Sequence, residues 1–323
     1  MNSKSKILII RFSSIGDIVL TSPVVRCLKQ QKDVEIHYLT KYMYAELFKS
    51  NPYIDKVYTY DNNLNTLIQD LKKEKYDCVI DLHNNIRSFW IRYKLNVTNY
   101  TFNKENLARW VLIIFRINII KYNVVDRYFT AAKRLNIIND GKGLDYFISK
   151  KENFGFNIDQ EFIAWSIGGT YHQKRISEDQ IVEVCNKLNV PVVLLGGKNE
   201  KLLAEKIINR CNNDMLHNFC GKITLDTSSY IIKNSSLLLT NDTGLMHIGA
   251  AFKVPIISFW GCTKPSLGFF SYVTYPEFIA ITSSKSNYPC SRHGSYCKYT
   301  SDGCIKLISP KEIYDNIMKM KIF

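Results

Sequence analysis

No run of apolar residues in this 323-residue sequence is long enough to cross a membrane. The longest, Trp110–Phe115, is stopped by Arg116, and the opening Ile7–Ile10 is only a strand's length. With no secretory core ahead of folded-looking sequence, the expectation is a cytoplasmic chain whose nine cysteines stay reduced. Low-complexity tracts and short-period repeats are missing as well. The first loop, Ser13–Asp17, holds one glycine, so it lacks the G-x-G-x-x-G turn that a nicotinamide oxidoreductase needs. Acidic residues are scarce. Against 43 Lys and Arg there are 29 Asp and Glu, a formal charge of +14. Such a surplus implies an acidic partner: nucleic acid, an anionic membrane surface, or a phosphorylated substrate. Part of it is a compositional bias that also enriches Asn, Ile, Lys and Tyr. No nucleic-acid motif is recognisable, and aromatic residues are not interleaved with basic ones, so nucleic acid is not the expected partner.

What is present is an ordinary globular composition, 46% hydrophobic and 22% charged, in a length comfortable for two domains. Apolar strands alternate with helical patterns: strand Lys6–Phe12, a helix from the Ser13–Asp17 loop to about Gln31, strand Val34–Leu39, helix Tyr42–Lys49, a short strand Val57–Tyr60, helix Leu64–Lys73 and strand Cys78–Leu82. After a linker at Asn139–Asn157, where Gly141, Gly143 and Gly155 sit among charged residues, the alternation resumes. Strand Phe162–Ser166, helix Glu178–Lys187, strand Val190–Leu195 and helix Glu200–Cys211 lead to the strand ending at Leu239 and the strand Val254–Trp260. This pattern predicts an α/β fold with two Rossmann-like, doubly wound domains facing across a cleft, residues 1–150 and 151–323, with the last helix (Pro310–Lys321) free to pack back on the first domain. Between them, Glu105–Leu135 reads as one or two helices with an apolar face ringed by Arg109, Arg116, Lys121 and Arg127. Such a stretch packs on the sheet or lies on a membrane surface.

The chemistry concentrates in Leu237–Gly261. A helix starting at Thr243-Gly244, just after a strand, offers free N–H groups and the positive end of its dipole to a phosphate. Asp242 N-caps that helix or faces the ligand, and His247 lies three residues beyond Gly244 on the same face. Lys174 follows the small residues Gly168, Gly169 and Thr170, which let a ligand approach the backbone, and a lysine is a point charge for phosphate. In the first half, Asp17 is the only carboxylate of its loop, suited to a general base or to helix capping. Arg87 can hold a phosphate or carboxylate with both arms, and His83 shares its face if that segment is helical. Cys290, Cys297 and Cys304 with His293 could complete a zinc tetrahedron, but gaps of six residues are wider than a zinc knuckle uses, so no metal is assigned.

Taken in order over nearly the whole chain, ILIIRFSSIGDIVLTSPVV and NDTGLMHIGAAFKVPIISFWG, the latter carrying D-T-G-x-x-H, resemble glycosyltransferase family 9, the bacterial heptosyltransferases of lipopolysaccharide core assembly. The resemblance implies a GT-B-type fold and inverting, metal-independent transfer without a cofactor, from an ADP-heptose-like donor to an anionic glycolipid at the inner face of the cytoplasmic membrane. It makes Asp17 the base and sets Lys174 on the donor phosphates. Asp242, Thr243, Gly244 and His247 seat the diphosphate and its sugar, with Thr170 beside them. Lys222, Ile223 and Thr224 meet the nucleobase, and Ser14, His83 and Arg87 face the acceptor. Two departures stand out: Arg175-Ile176-Ser177 where Trp-Pro often follows the lysine, and Asn84 and Asn85 where a Gly is common. Another nucleotide-sugar donor, or a non-catalytic nucleotide- or glycan-binding module, is the alternative. Oligomeric state leaves no mark in the sequence.

Overall fold

The computed structural model describes residues 4–149, 155–272 and 277–322. Part of the expected linker, residues 150–154, therefore lies outside the described residues. The chain divides into two compact units, Met1–Lys104 with Tyr122–Ser149, and Glu105–Lys121 with Lys150–Phe323. Residues 105–121 thus belong to the second unit, and the chain then returns to the first.

The first unit is built on a parallel sheet of β1 (Ser5–Ile10), β2 (Val34–Lys41), β3 (Lys56–Tyr60), β4 (Cys78–Asp81) and β5 (Thr98–Thr101) in the order β3-β2-β1-β4-β5. Ile7–Ile10 are buried because β1 is central, paired with β2 on one side and β4 on the other. Leu8, Ile10, Phe12, Leu39, Val79 and Ile91 form a core beneath it. The helix expected to run unbroken to Gln31 is two, Ile15–Val19 and Ser22–Gln31, and Pro23 falls in the first turn of the second, where its missing N–H costs nothing. Tyr42–Phe48 is a 3₁₀ turn rather than an α-helix. From the second of the two helices, buried Arg26 binds both Asp140 oxygens, at 2.9 and 2.8 Å, and also Asp145, which ties residues 140–145 to this unit.

The second unit holds a parallel sheet of β6 (Ile163–Ser166), β7 (Val192–Leu195), β8 (Leu216–Asn218), β9 (Leu237–Asn241), β10 (Ile256–Trp260) and β11 (Phe278–Thr282), ordered β11-β10-β9-β6-β7-β8. Trp165, Leu194, Leu239 and Phe259 fill its core. The last helix, Pro310–Lys319, buries Ile313 and Ile317 in that same core and contacts the helix Glu178–Cys185. The helix Gly244–Ala251 lies directly on β9: a Cβ at Gly249 would fall 2.5 Å from the Leu238 side chain, which would have to move.

In each sheet the strand order reverses at one place, between β1 and β4 and between β6 and β9. Parallel α/β sheets open a crevice there, outside the carboxyl ends of the strands. The segments that follow these four strands carry Asp17, His83, Lys174 and Asp242.

Three strands escaped the sequence reading, β5, β8 and β11. Each is an edge strand paired on one side only, and TNYT and LHN carry too little apolar sequence to signal a strand. The expectation for Glu105–Leu135 also changes. It forms two helices, Asn106–Phe115 and Val124–Ala132, in different units. Arg109 and Arg127 do not ring a surface but are buried, Arg109 over the Phe269 ring at 4.3 Å and Arg127 donating to the Lys104 carbonyl. Among the described residues no helix is long and apolar enough to cross a membrane.

Candidate functional site

At the reversal point of the second sheet, two loops are locked to each other. Asn241, the last residue of β9, is fully buried and donates from Nδ2 to the Ile167 and Gly168 carbonyls at 3.2 and 2.9 Å. Its neighbour Asp242 reaches back to Lys174, Oδ2 to Nζ 2.6 Å, and accepts a hydrogen bond from Thr263 Oγ1 at 3.0 Å. Both partners of the ion pair are mostly shielded, with side chains 13% and 14% exposed, so the pair feels less solvent screening than a surface one. Thr243, not Asp242, is the N-cap of the helix Gly244–Ala251, which frees the aspartate for the lysine. His247 is buried on the first turn of that helix. Lys174, Asp242, Thr243, Gly244 and His247 therefore converge on one helix N-terminus, where exposed N–H groups favour an anion.

Arg175, a departure from the family pattern, has a job. Its Nε donates to the Gly169 carbonyl at 2.7 Å, and its guanidinium pairs with Glu200 at 3.2 Å. Glu200 in turn accepts from the Gly197 N–H at 2.9 Å, so Arg175 braces the loop after β6 against the loop after β7. Sequence reasoning named Arg175 only as a departure and gave Glu200 and Asn241 no role, although Asn241 left a trace there as a polar residue ending an apolar strand. Thr170 is exposed on the loop after β6. Lys222, Ile223 and Thr224 follow β8 at the sheet edge, with Thr224 capping the helix Leu225–Asn234 through the Thr227 N–H.

In the first unit Asp17 is the third residue of the helix Ile15–Val19. Its Oδ2 accepts from Ser14 N at 3.2 Å and Ser14 Oγ at 3.1 Å, and lies 2.8 Å from Arg11 Nη2. Ser14 is thus placed beside the carboxylate. Arg11 is buried, and its other arms donate to the Ser13 and Leu82 carbonyls at 2.8 and 2.7 Å. Burial works against its charge, but Asp17, together with Tyr128 and Tyr38, offsets this and the guanidinium pKa lies above its usual value.

His83 and Arg87 do not share a helix face, because the helix Ile86–Leu95 begins after Asn85, its N-cap. His83 instead sits in a turn held by Asp81 Oδ1, which accepts from the His83 and Asn84 N–H groups at 2.9 and 2.7 Å. Asn84 adopts a positive φ of 50°, which asparagine tolerates where the family often has glycine. The other Asp81 oxygen is 2.9 Å from Arg92 Nε, a buried ion pair without the alignment of a hydrogen bond. Phe12 brings the two residues together all the same: the His83 ring meets its edge at 5.2 Å, and the Arg87 guanidinium stacks over it at 5.5 Å and over Tyr60 at 4.5 Å. Burial, then the positive charges of Arg11, Lys104 and Arg87, push the His83 pKa down to about 3, so its ring is neutral at pH 7.

Two parallel-sheet α/β domains, each with polar loops at its reversal point and one with a lysine at a helix N-terminus, define a glycosyltransferase-type scaffold of the GT-B class. The profile of glycosyltransferase family 9 (heptosyltransferase) matches residues 64–297, and the chain belongs to that family. Among curated proteins, the lipopolysaccharide heptosyltransferase 1 of Campylobacter coli is 26% identical over 294 residues, covering 80% of this chain and 84% of that protein. Among solved structures, a family 9 glycosyltransferase of Veillonella parvula superposes with a TM-score of 0.80 at 20% identity, covering 99% of this chain and 98% of that one. The ADP-heptose lipopolysaccharide heptosyltransferase II of E. coli gives 0.74 at 18% identity, covering 98% of each chain. At these identities the two structures speak for the fold.

Proposed function

We propose that the chain is an inverting heptosyltransferase that moves a heptose from an ADP-heptose to a lipopolysaccharide core or similar glycolipid acceptor, without a catalytic metal. The observation that carries this reading is the pairing of Lys174 with Asp242 beside the N-terminus of the helix Gly244–Ala251. As the glycosidic bond breaks, negative charge grows on the leaving diphosphate, and a lysine with oriented N–H groups stabilises it where a metal ion otherwise would. Asp17 takes the proton of the acceptor hydroxyl, whose oxygen attacks the anomeric carbon from the face opposite the diphosphate. Inversion follows from that single displacement. Ser14, His83 and Arg87 bind the acceptor, Thr170 and His247 the donor sugar and phosphates, and Lys222, Ile223 and Thr224 the nucleobase.

The first-unit helix Ile86–Leu95 supports a peripheral place at the inner face of the cytoplasmic membrane. It exposes Ile86, Phe89, Trp90 and Tyr93, with Lys94 Nζ 5.0 Å from the Trp90 ring centre. Aromatic rings beside lysine suit the headgroup layer of an anionic leaflet.

The experiment is calorimetric titration of ADP, UDP and GDP without divalent metal, alongside transfer to a heptose-deficient core glycolipid, for wild type and Asp17→Asn. Selective ADP binding by both proteins, with transfer lost in the variant, is the expected result. Equal affinity for the three nucleotides overturns the donor assignment. Selective ADP binding with no transfer by wild type leaves a binding module.

A further inference from the structure

The cysteines of the C-terminal region gather into a cluster that the proposed transfer does not use. Cys262 lies just past β10, Cys290 and Cys297 lie in the segment after β11, and Cys304 opens the 3₁₀ turn Cys304–Leu307. The four sulfurs lie within 4.8 Å of one another. Cys262, Cys290 and Cys304 are buried, Cys297 is partly so, and Tyr299 packs against them. His293, the imidazole that the sequence offered beside these thiols, is exposed and outside the group. The ligand that sequence spacing missed is Cys262, which the fold brings in from another loop.

We propose that Cys262, Cys290, Cys297 and Cys304 bind one tetrahedral transition-metal ion, zinc or iron, which holds the segment around residues 284–304 against Lys174.

The spacing favours a metal over a disulfide. Cys290 and Cys297 are 3.9 Å apart, sulfur to sulfur. A disulfide needs about 2.05 Å, whereas metal–sulfur bonds of about 2.3 Å at tetrahedral angles set the sulfurs roughly 3.8 Å apart. The surroundings suit thiolates. The Tyr299 N–H points at Cys297 Sγ at 3.4 Å and the Thr300 hydroxyl at 3.8 Å. Lys264, two residues after Cys262, is buried with its ammonium on the Ser283 carbonyl at 3.1 Å and makes no ion pair among the described residues. A buried cation without a carboxylate calls for negative charge nearby, and four thiolates around a divalent ion carry an excess of two. Backbone bonds brace the cluster, the Cys290 N–H donating to the Cys262 carbonyl at 2.8 Å. On binding, the four thiols release their protons to solvent and each sulfur donates a lone pair to the ion. An all-thiolate tetrahedral set selects zinc or iron over harder cations.

Four protein ligands leave the ion no open position, so it does not enter the transfer chemistry. Its effect is on shape. Gly294, between Cys290 and Cys297, has φ +75°, and a Cβ there would lie 2.4 Å from Lys174 Cγ. Thr263, next to Cys262, is the residue that donates to Asp242. Lys306, just past Cys304, reaches His172 at 2.6 Å on the loop that carries Lys174. The cluster therefore borders the Lys174–Asp242 pair from both sides, and that part of the inference rests on the donor role proposed above.

The test is elemental analysis of the full chain purified under reducing conditions without chelator, with cobalt reconstitution and thiol alkylation of the same protein. About one zinc or iron per chain, lost in Cys290→Ser and in Cys304→Ser, is the expected result. Zinc gives a colourless protein and iron a coloured one, and cobalt should show the visible bands of tetrahedral thiolate coordination. Should the serine variants fail to fold, wild type decides alone: chelation should expose four further thiols to alkylation, and zinc should protect them again. Metal below about a tenth of an equivalent, no cobalt bands and unchanged alkylation after chelation would overturn the site. ADP binding measured on the same samples separates the two readings: metal-loaded protein that ignores ADP removes the donor role and leaves the metal site standing.

Discussion

Lys174 Nζ lies 2.6 Å from Asp242 Oδ2, joining the loop after β6 to the loop after β9. The aspartate holds the ammonium in place, yet it is also an anion beside the proposed diphosphate seat. Lys174→Met removes a charge-assisted contact, so ADP affinity should fall roughly 10- to 100-fold. Part of that loss is repulsion by the carboxylate left unpaired. Asp242→Asn in the Lys174→Met background should therefore recover some affinity, whereas Asp242→Asn alone should leave it unchanged or tighter. Calorimetry on the four proteins reads the coupling. Strictly additive losses would mean that the two side chains meet the nucleotide independently.

His83 makes stability depend on pH. Its folded pKa is about 3, against 6.5 for an ordinary histidine. Between these values the unfolded chain binds a proton that the folded one refuses, so stability rises with pH across that window and falls as the solution is acidified through it. His83→Gln should flatten the slope between pH 7 and pH 5, read as the shift in urea midpoint. An unchanged slope would assign the acid sensitivity to other groups.

The polar loops at the strand ends of both sheets were legible in the sequence, although the strand order was not. Each lies where an apolar strand meets a short run of Gly, Ser, Thr or Asp, and such turn chemistry is local. What stayed hidden is set by long-range contact. Arg109 looks like a surface cation until Phe269 covers it, and Arg127 until the Lys104 carbonyl receives it. Cys262 sits in sequence as one more residue after the strand IISFW, and only the β10–β11 crossover and the returning segment carry it to Cys290 and Cys304. The helix Asn106–Phe115 belongs to the second unit although first-unit sequence flanks it on both sides, which no composition shift announces.

The exposed rings on the helix Ile86–Leu95 give the membrane reading a direct check. Phe89 and Trp90 both stack on Tyr93, at 6.5 and 5.6 Å between ring centres. These side chains are not part of the buried core, so Phe89→Ser with Tyr93→Ser should leave the melting temperature within a few degrees. Co-sedimentation with vesicles rich in anionic lipid should fall severalfold, with ADP affinity unchanged. Vesicle binding that survives the pair of substitutions would move the membrane contact elsewhere or remove it.

Arg11 does for Asp17 what Asp242 does for Lys174, but from within the core. Its three arms hold the Ser13 carbonyl, the Leu82 carbonyl and the Asp17 carboxylate, so the guanidinium fixes the carboxylate relative to the ends of β1 and β4. Losing a positioned base costs about 10²- to 10⁴-fold in rate, the expected effect of Asp17→Asn. Arg11→Gln leaves the carboxylate present but unheld and should lower kcat by roughly 10- to 100-fold. The KM for the nucleotide sugar should change little, because the donor residues lie in the other unit. Arg11→Lys keeps the charge while losing the planar fork, so it should fall between wild type and Arg11→Gln. If Arg11 acts through Asp17, Arg11→Gln adds no further loss once Asp17→Asn is in place. An equal loss in both backgrounds would show that the arginine supports the fold rather than the base.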